Sequence, residues 1–164
     1  MSVALRIYVT HLKFMTELKI TRRHLPHWTL EGAVYFVTFR ATWGIVFNEE
    51  EQRIVLKHIK EGNGTFYHCY AAIVMPDHVH ILVQPNEGIS LSRVMHGLKG
   101  VSAHKVNSHR GTAGQIWQDE SYDRIVRSDI EFRNELNYMY NNPVKKGLTN
   151  EPEKYAGWYL NDEE

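Results

Sequence analysis

The 164-residue sequence predicts an α+β fold of the ferredoxin-like kind. It would be a split β-α-β antiparallel sheet followed by an extra C-terminal helix. Three observations carry that expectation. Segments alternating with period two, rich in aromatic and β-branched residues, are interleaved with segments of helical period. Side-chain oxygens stand where helix starts need them, with a glutamate three residues on in two cases. The resulting order is strand, helix, strand, strand, helix, strand, helix.

"AVYFVTFRA" (33–41) alternates and reads as the first strand. "NEEEQRIVLKHIKEGNG" follows as a helix with Asn48 as cap, Glu51 at the capping-box position and Gly62 or Gly64 as terminator. "YHCYAAIVMPDHVHILVQP" (67–85) has two strand-like halves around a turn at Met75-Pro76-Asp77. "SLSRVMHGLKGVSAHKVNSH" is a helix despite Gly97 and Gly100, capped by Ser90 or Ser92. A further strand lies within residues 115–128, and "SDIEFRNELNYMYNNP" closes the series, with Ser128 capping, Glu131 at its capping-box position and Pro143 at the far end. No repeat or low-complexity tract interrupts this order, so one domain is expected over residues 21–147. Residues 1–20 read as an N-terminal extension and 148–164 as an acidic C-terminal tail.

Composition bounds the function. A hydrophobic content of 43% and a charged content of 23% are those of an ordinary globular protein. No run of about 18 apolar residues is present, so no membrane partner is expected. The opening segment lacks a small-residue cleavage site and does not read as a signal peptide. Cys69 is the only cysteine, which excludes an internal disulfide and fits the cytoplasm. Net charge is zero, but five carboxylates fall in residues 148–164 against Lys154 alone. Residues 93–110 carry Arg93, Lys99, Lys105 and Arg110 with three histidines and no carboxylate. That stripe is a candidate phosphate-binding surface.

"VMPDHVHILV" (74–83) places His78 and His80 one residue apart, so both point to the same strand face while Val79, Ile81 and Val83 point to the other. A tight turn centred on Pro76 would set Val74 opposite His78 and Ala72 opposite His80. Cys69, Ala71, Ile73, Val79, Ile81 and Val83 would then form the face that takes the helices. The histidines would lie on the open face with room beside Ala72. Two imidazoles on one face can converge on one cation, whereas a structural zinc cage would need further ligands. In the last helix Phe132, Leu136 and Met139 or Tyr140 have the spacing of a buried stripe. Tyr138 lies off it, with Asn142 one turn on. Asn142 is a candidate oxygen ligand, although simple packing of Tyr138 and helix termination at Asn142 stay open on these residues alone.

The His-Val-His of "MPDHVHILV" with "NYMYNNPVKKGL" about 60 residues later resembles the single-tyrosine HUH transposases of bacteria (U being a hydrophobic residue). In particular it is similar to the REP-associated tyrosine transposases. "RRHLPHWTLEGAVYFVTFR", "LKGVSAHKVN" and "IWQDESYDRIVRSDIEF" extend the resemblance over about residues 22–160. It implies a ferredoxin-like fold with the nucleophile on the extra helix. Carried onto this sequence, His78, His80 and Asn142 would hold a divalent metal, Mg²⁺ or Mn²⁺, and Tyr138 would be the nucleophile, with Tyr140 its competitor. The implied reaction is cleavage and rejoining of single-stranded, hairpin-containing DNA through a 5′-phosphotyrosine and a free 3′-hydroxyl. Arg93, Lys99, Lys105 and Arg110 would meet phosphates, and Lys145 and Lys146 would flank the scissile strand. Trp28, Tyr122 and Trp158 are candidates to stack on unpaired bases. A monomer and a homodimer are both compatible with these residues. A non-catalytic hairpin-binding module is the main alternative. A relaxase is disfavoured by size, and a structural metal protein leaves the basic stripe unexplained.

Overall fold

The computed structural model describes residues 18–22 and 26–162, with side chains from residue 30 onward. Most of the segment read as an N-terminal extension, and the side chain of Trp28, lie outside these. Strands β1 (Leu18–Arg22) and β2 (Pro26–Leu30) form an antiparallel hairpin of their own. The main sheet is built from β3 (Val34–Ala41), β4 (Tyr67–Val74), β5 (His78–Pro85), β6 (Trp117–Val126) and β7 (Trp158–Leu160). Its order is β6-β3-β5-β4-β7 with every neighbouring pair antiparallel. The helices are α1 (Glu49–Gly62), α2 (Leu91–Arg110) and α3 (Asp129–Lys145). The two crossovers, β3-α1-β4 and β5-α2-β6, each skip one strand of the sheet, as the α+β split β-α-β expectation requires.

Local chemistry sets the helix ends. Asn48 accepts from the Glu51 amide while the Glu51 carboxylate accepts from the Asn48 amide, a complete capping box. Ser90, rather than Ser92, caps α2, and Gly111 at φ 65° ends it in the left-handed conformation. Ser128 caps α3, but Glu131 reaches past it to the Arg127 amide. Pro143 does not end α3, which runs two residues further to Lys145. A proline loses only one helical hydrogen bond there, and the bond from the Lys146 amide to the Asn142 carbonyl still closes the last turn.

The sheet has a core on each face. On one, Val37, Phe39, Val79, Ile81 and Val83 pack against Val55 and Ile59 of α1 and Val94 and Leu98 of α2. On the other, Phe36, Ile73 and Leu82 pack against Phe132, Leu136 and Met139 of α3. Each such side chain contributes about 1.5–3 kcal/mol when fully buried. Thus α3 covers the face that α1 and α2 leave open. The tail region also joins the fold: after a 3₁₀ turn at Pro152–Lys154, β7 adds to the β4 edge. Gly157 is required there, because a Cβ would overlap the Val74 carbonyl.

The β4–β5 register corrects the sequence expectation in one half. Cys69 pairs with Val83 as expected, but Val74 pairs with Val79, Ala72 with Ile81 and Ile73 with His80. A bulge at Tyr70 inserts the extra residue and shifts the inner half by one. The loop closes with the Met75 amide donating to the His78 carbonyl at 2.8 Å. Ala72 and Val74 therefore join the core beneath α1 and α2, and Ala71 and Ile73 lie on the histidine side. Ile73, not Ala72, is the neighbour of His80.

Candidate metal and nucleophile site

His78 and His80 share one face of β5, and their rings are 4.7 Å apart at 75°. Both are buried, at 7% and 5% exposure. Each has one ring nitrogen occupied. Nδ1 of His78 is 2.6 Å from a carboxylate oxygen of Asp77, and Nδ1 of His80 is 2.7 Å from the hydroxyl of Thr38. Nε2 of His80 is buried without a hydrogen-bond partner among the described residues. A buried nitrogen in that state is costly unless something else satisfies it. With Nδ1–H directed at Asp77 and Thr38, both Nε2 lone pairs are available to a cation, the arrangement that orients metal-binding imidazoles. Burial favours the neutral form of both rings. It pushes the His80 pKa down to about 3, helped by the charges of His78 and Arg40, and lowers that of His78 against the opposing pull of Asp77. Neutral imidazole is the form that binds metal.

Among the described residues no group of three or more His, Cys, Asp or Glu side chains gathers into a metal cage. A third protein ligand must be of another kind. Asn142, one turn beyond Tyr138 and only 4% exposed, supplies an amide oxygen on α3. The two imidazoles, with Nε2 of His80 unsatisfied, are donors of the kind a catalytic ion with open positions takes.

The Tyr138 ring lies 5.3 Å from that of His80 in the same chain, edge to face, and its side chain is 45% exposed. Tyr140 faces elsewhere: its hydroxyl donates to Glu153 at 2.9 Å and its ring packs on Trp158. Met139 takes the place on the buried stripe that was open between it and Tyr140.

Several participants were missed by sequence reasoning. Phe36 of β3 stacks on His80 at 5.3 Å and 19°, and touches Tyr138 edge-on. Arg124 of β6 lies over Phe36 and pairs with buried Glu135 of α3, one turn before Tyr138. Arg40 stands opposite His78 in the register and 3.8 Å from Asp77. Asp77 was detectable as a carboxylate next to His78, whereas Thr38, Phe36, Arg40 and Arg124 acquire their places through strand pairing alone.

The expected phosphate-binding cations divide into two groups. Lys145 and Lys146 are exposed at the end of α3, and the charge of Lys146 acts on His78. The α2 stripe lies across the sheet from the histidines. There Lys105 pairs with Glu61 at 2.7 Å, Arg110 with Glu51 and the Val46 carbonyl, and Lys99 with the Asp119 carbonyl and Ser121. Only Arg93 of the four stands exposed with no side-chain ion pair among the described residues. Three of the four thus also tie α2 to α1 and β6. Trp158 is half-buried, while Tyr122 is 58% exposed.

The fold is thus a ferredoxin-like sheet that presents a buried histidine pair on one face, with an exposed phenol beside it on the covering helix. The chain belongs to the family described as IS200-like transposases, whose model matches residues 39–137, a span that includes both histidines and ends just before Tyr138. A Haemophilus influenzae protein named "Putative REP-associated tyrosine transposase" is 24% identical over 135 residues, covering 71% of this chain and 73% of its own. A solved structure of a REP-associated tyrosine transposase bound to a REP hairpin superposes with a TM-score of 0.59 at 21% identity. That match covers 79% of this chain and 74% of the other, and it shows the shared fold. The resemblance read from the motifs is thereby met. Among the described residues no helix is long and apolar enough to cross a membrane.

Proposed function

We propose that this transposase-family chain cuts and rejoins single-stranded DNA beside a hairpin, using Tyr138 as nucleophile at a divalent cation held by His78, His80 and Asn142. The observation that carries this reading is the pairing, within one chain, of the orphaned His80 Nε2 with the exposed phenol of Tyr138 beside it. A bound Mg²⁺ or Mn²⁺ would supply Lewis-acid polarisation of the scissile phosphate.

The protein's own groups do the rest. Asp77 and Thr38 fix the ring orientations of His78 and His80. Phe36 and α3 hold the Tyr138 ring against His80. The Tyr138 hydroxyl gives its proton to solvent, and its oxygen attacks phosphorus. The bond to the 3′ oxygen breaks, leaving a free 3′-hydroxyl and a 5′-phosphate on Tyr138. The phosphodiester energy is kept in that ester, so the reverse attack by a 3′-hydroxyl rejoins DNA without a nucleotide cofactor. Arg40, Lys145 and Lys146 surround the site with positive charge suited to the phosphates on either side. A hairpin partner is supported by the structural relative bound to one.

The test is incubation with hairpin oligonucleotides carrying single-stranded flanks, with Mg²⁺ or Mn²⁺. A covalent protein–DNA adduct is expected that is absent in Tyr138→Phe and retained in Tyr140→Phe. An adduct that persists in Tyr138→Phe overturns the nucleophile. Hairpin binding with no adduct under any cation leaves a non-catalytic binding module instead.

A further inference from the structure

Tyr122 is a large aromatic residue, 58% exposed, in the middle of a strand. It pairs with Thr38 of β3, which in turn pairs with His80 of β5. Residues directly opposite in adjacent strands share a face, so Tyr122, Thr38 and His80 form one row across the sheet. Strands are about 4.8 Å apart, which places Tyr122 about 10 Å from His80 along that row. Among the described residues α3 packs chiefly over β4 and β5, meets β3 and β6 through Phe36 and Arg124, and leaves the Tyr122 ring exposed. The strip holds two cations: Arg124, two residues along β6, and Arg40, two residues along β3, whose side chain is 58% exposed.

We infer that Tyr122 is a stacking platform for one unpaired base of the DNA strand, within three nucleotides of the phosphate at the histidine site. The inference rests on the proposed strand-transfer reading and adds to it a specific subsite. Its occupant follows from the chemistry of the strip. A lone exposed phenol ring offers a face to a flat apolar partner. The flanking guanidinium groups of Arg40 and Arg124, each paired with one carboxylate but still about half exposed, have N–H donors left for a phosphate. An unpaired nucleotide has both parts, a π-face and a phosphate. The strip is also continuous with the histidine face, so one extended strand can lie on both. The row geometry gives the distance: stacked nucleotides advance about 3.4 Å each, so about 10 Å spans no more than three.

The experiment uses the full chain and a fluorescein-labelled hairpin with ten unpaired thymidines on each side. A second set carries one abasic site at each successive flank position. In wild type one abasic position near the cleavage point is expected to lose about tenfold in affinity, the scale of one base–aromatic stack. Tyr122→Ala should bind the intact hairpin about tenfold more weakly and show no further loss at that position. Tyr122→Trp should restore both. Anisotropy reads binding without cleavage, so failure to form an adduct leaves this test intact and counts only against the strand-transfer reading. Equal affinities and an unchanged abasic profile in a folded Tyr122→Ala protein overturn the platform, and so does absence of any binding to the wild type.

Discussion

At the scale of single residues, the site depends on how two imidazoles are held. Asp77 and Thr38 occupy the Nδ1 atoms, which leaves Nε2 for the cation proposed above. Such orienting partners are worth 10- to 100-fold in metal affinity. Asp77→Ala is expected to weaken Mn²⁺ binding by about tenfold or more, read by calorimetry, while the far-ultraviolet spectrum stays unchanged. The depressed His80 pKa has a consequence for stability as well. Folded His80 titrates near 3, against an ordinary value of 6.5 in the unfolded chain. Between these values the unfolded state binds the extra proton. Stability is therefore full above about pH 6.5 and declines as the pH falls toward about 3. Urea midpoints measured across that window should fall less steeply for His80→Gln than for wild type.

At the scale of elements, α3, which carries Tyr138, is fastened to the sheet by a charged contact within an apolar seam. Glu135 is 7% exposed and pairs with Arg124, whose guanidinium also lies over Phe36. Removing one partner of a buried pair strands the other, which costs 3–5 kcal/mol when both are buried. Arg124 is half-exposed, so Arg124→Met is expected to cost about 2 kcal/mol by denaturant unfolding. A second element-level constraint is Gly62, which sits under the Tyr67 ring where a Cβ would overlap it. The Tyr67 hydroxyl is fixed by the Ile59 carbonyl at 2.7 Å, so the ring cannot simply swing away. Gly62→Ala should destabilise by about 1–3 kcal/mol, visible as a lowered Tm.

At the scale of the whole molecule, the two faces of the sheet have different duties. The face under α1 and α2 is a closed core whose rim cations are bound to Glu61 and Glu51. The face under α3 holds the histidines and Arg40, with Tyr138 on the helix and exposed Lys145 and Lys146 at its end. DNA binding should follow that division. A Lys145→Ala/Lys146→Ala protein is expected to show a slope of log affinity against log salt reduced by about two, one per phosphate contact. Lys105→Ala should leave the slope unchanged. Arg110→Ala should act on stability instead, since it leaves the 3%-exposed Glu51 carboxylate unpaired.

The sequence by itself determined the order of elements from β3 to α3, the helix caps at Asn48 and Ser128, and the common face of His78 and His80. These are local matters, governed by the periods of strand and helix and by hydrogen bonds spanning three or four residues. It also singled out Tyr138 and Asn142, because a spacing of four on a helix is local too. Only the tertiary structure decided what those residues meet. The Tyr70 bulge turned Ala72 into the core and brought Ile73 to His80. Strand pairing put Thr38 and Arg40 beside the histidines, and Phe36 and Arg124 under α3. Ion pairs with Glu61 and Glu51 took two cations of the α2 stripe, and hydrogen bonds to β6 took Lys99. Cross-element contacts join residues distant in the chain, 42 positions for Thr38 and His80 and 59 for Glu51 and Arg110, and no pattern within one segment encodes them. The histidine pair was legible as a pair, but its orphaned nitrogen and its neighbouring phenol came from the packing of α3 on the sheet.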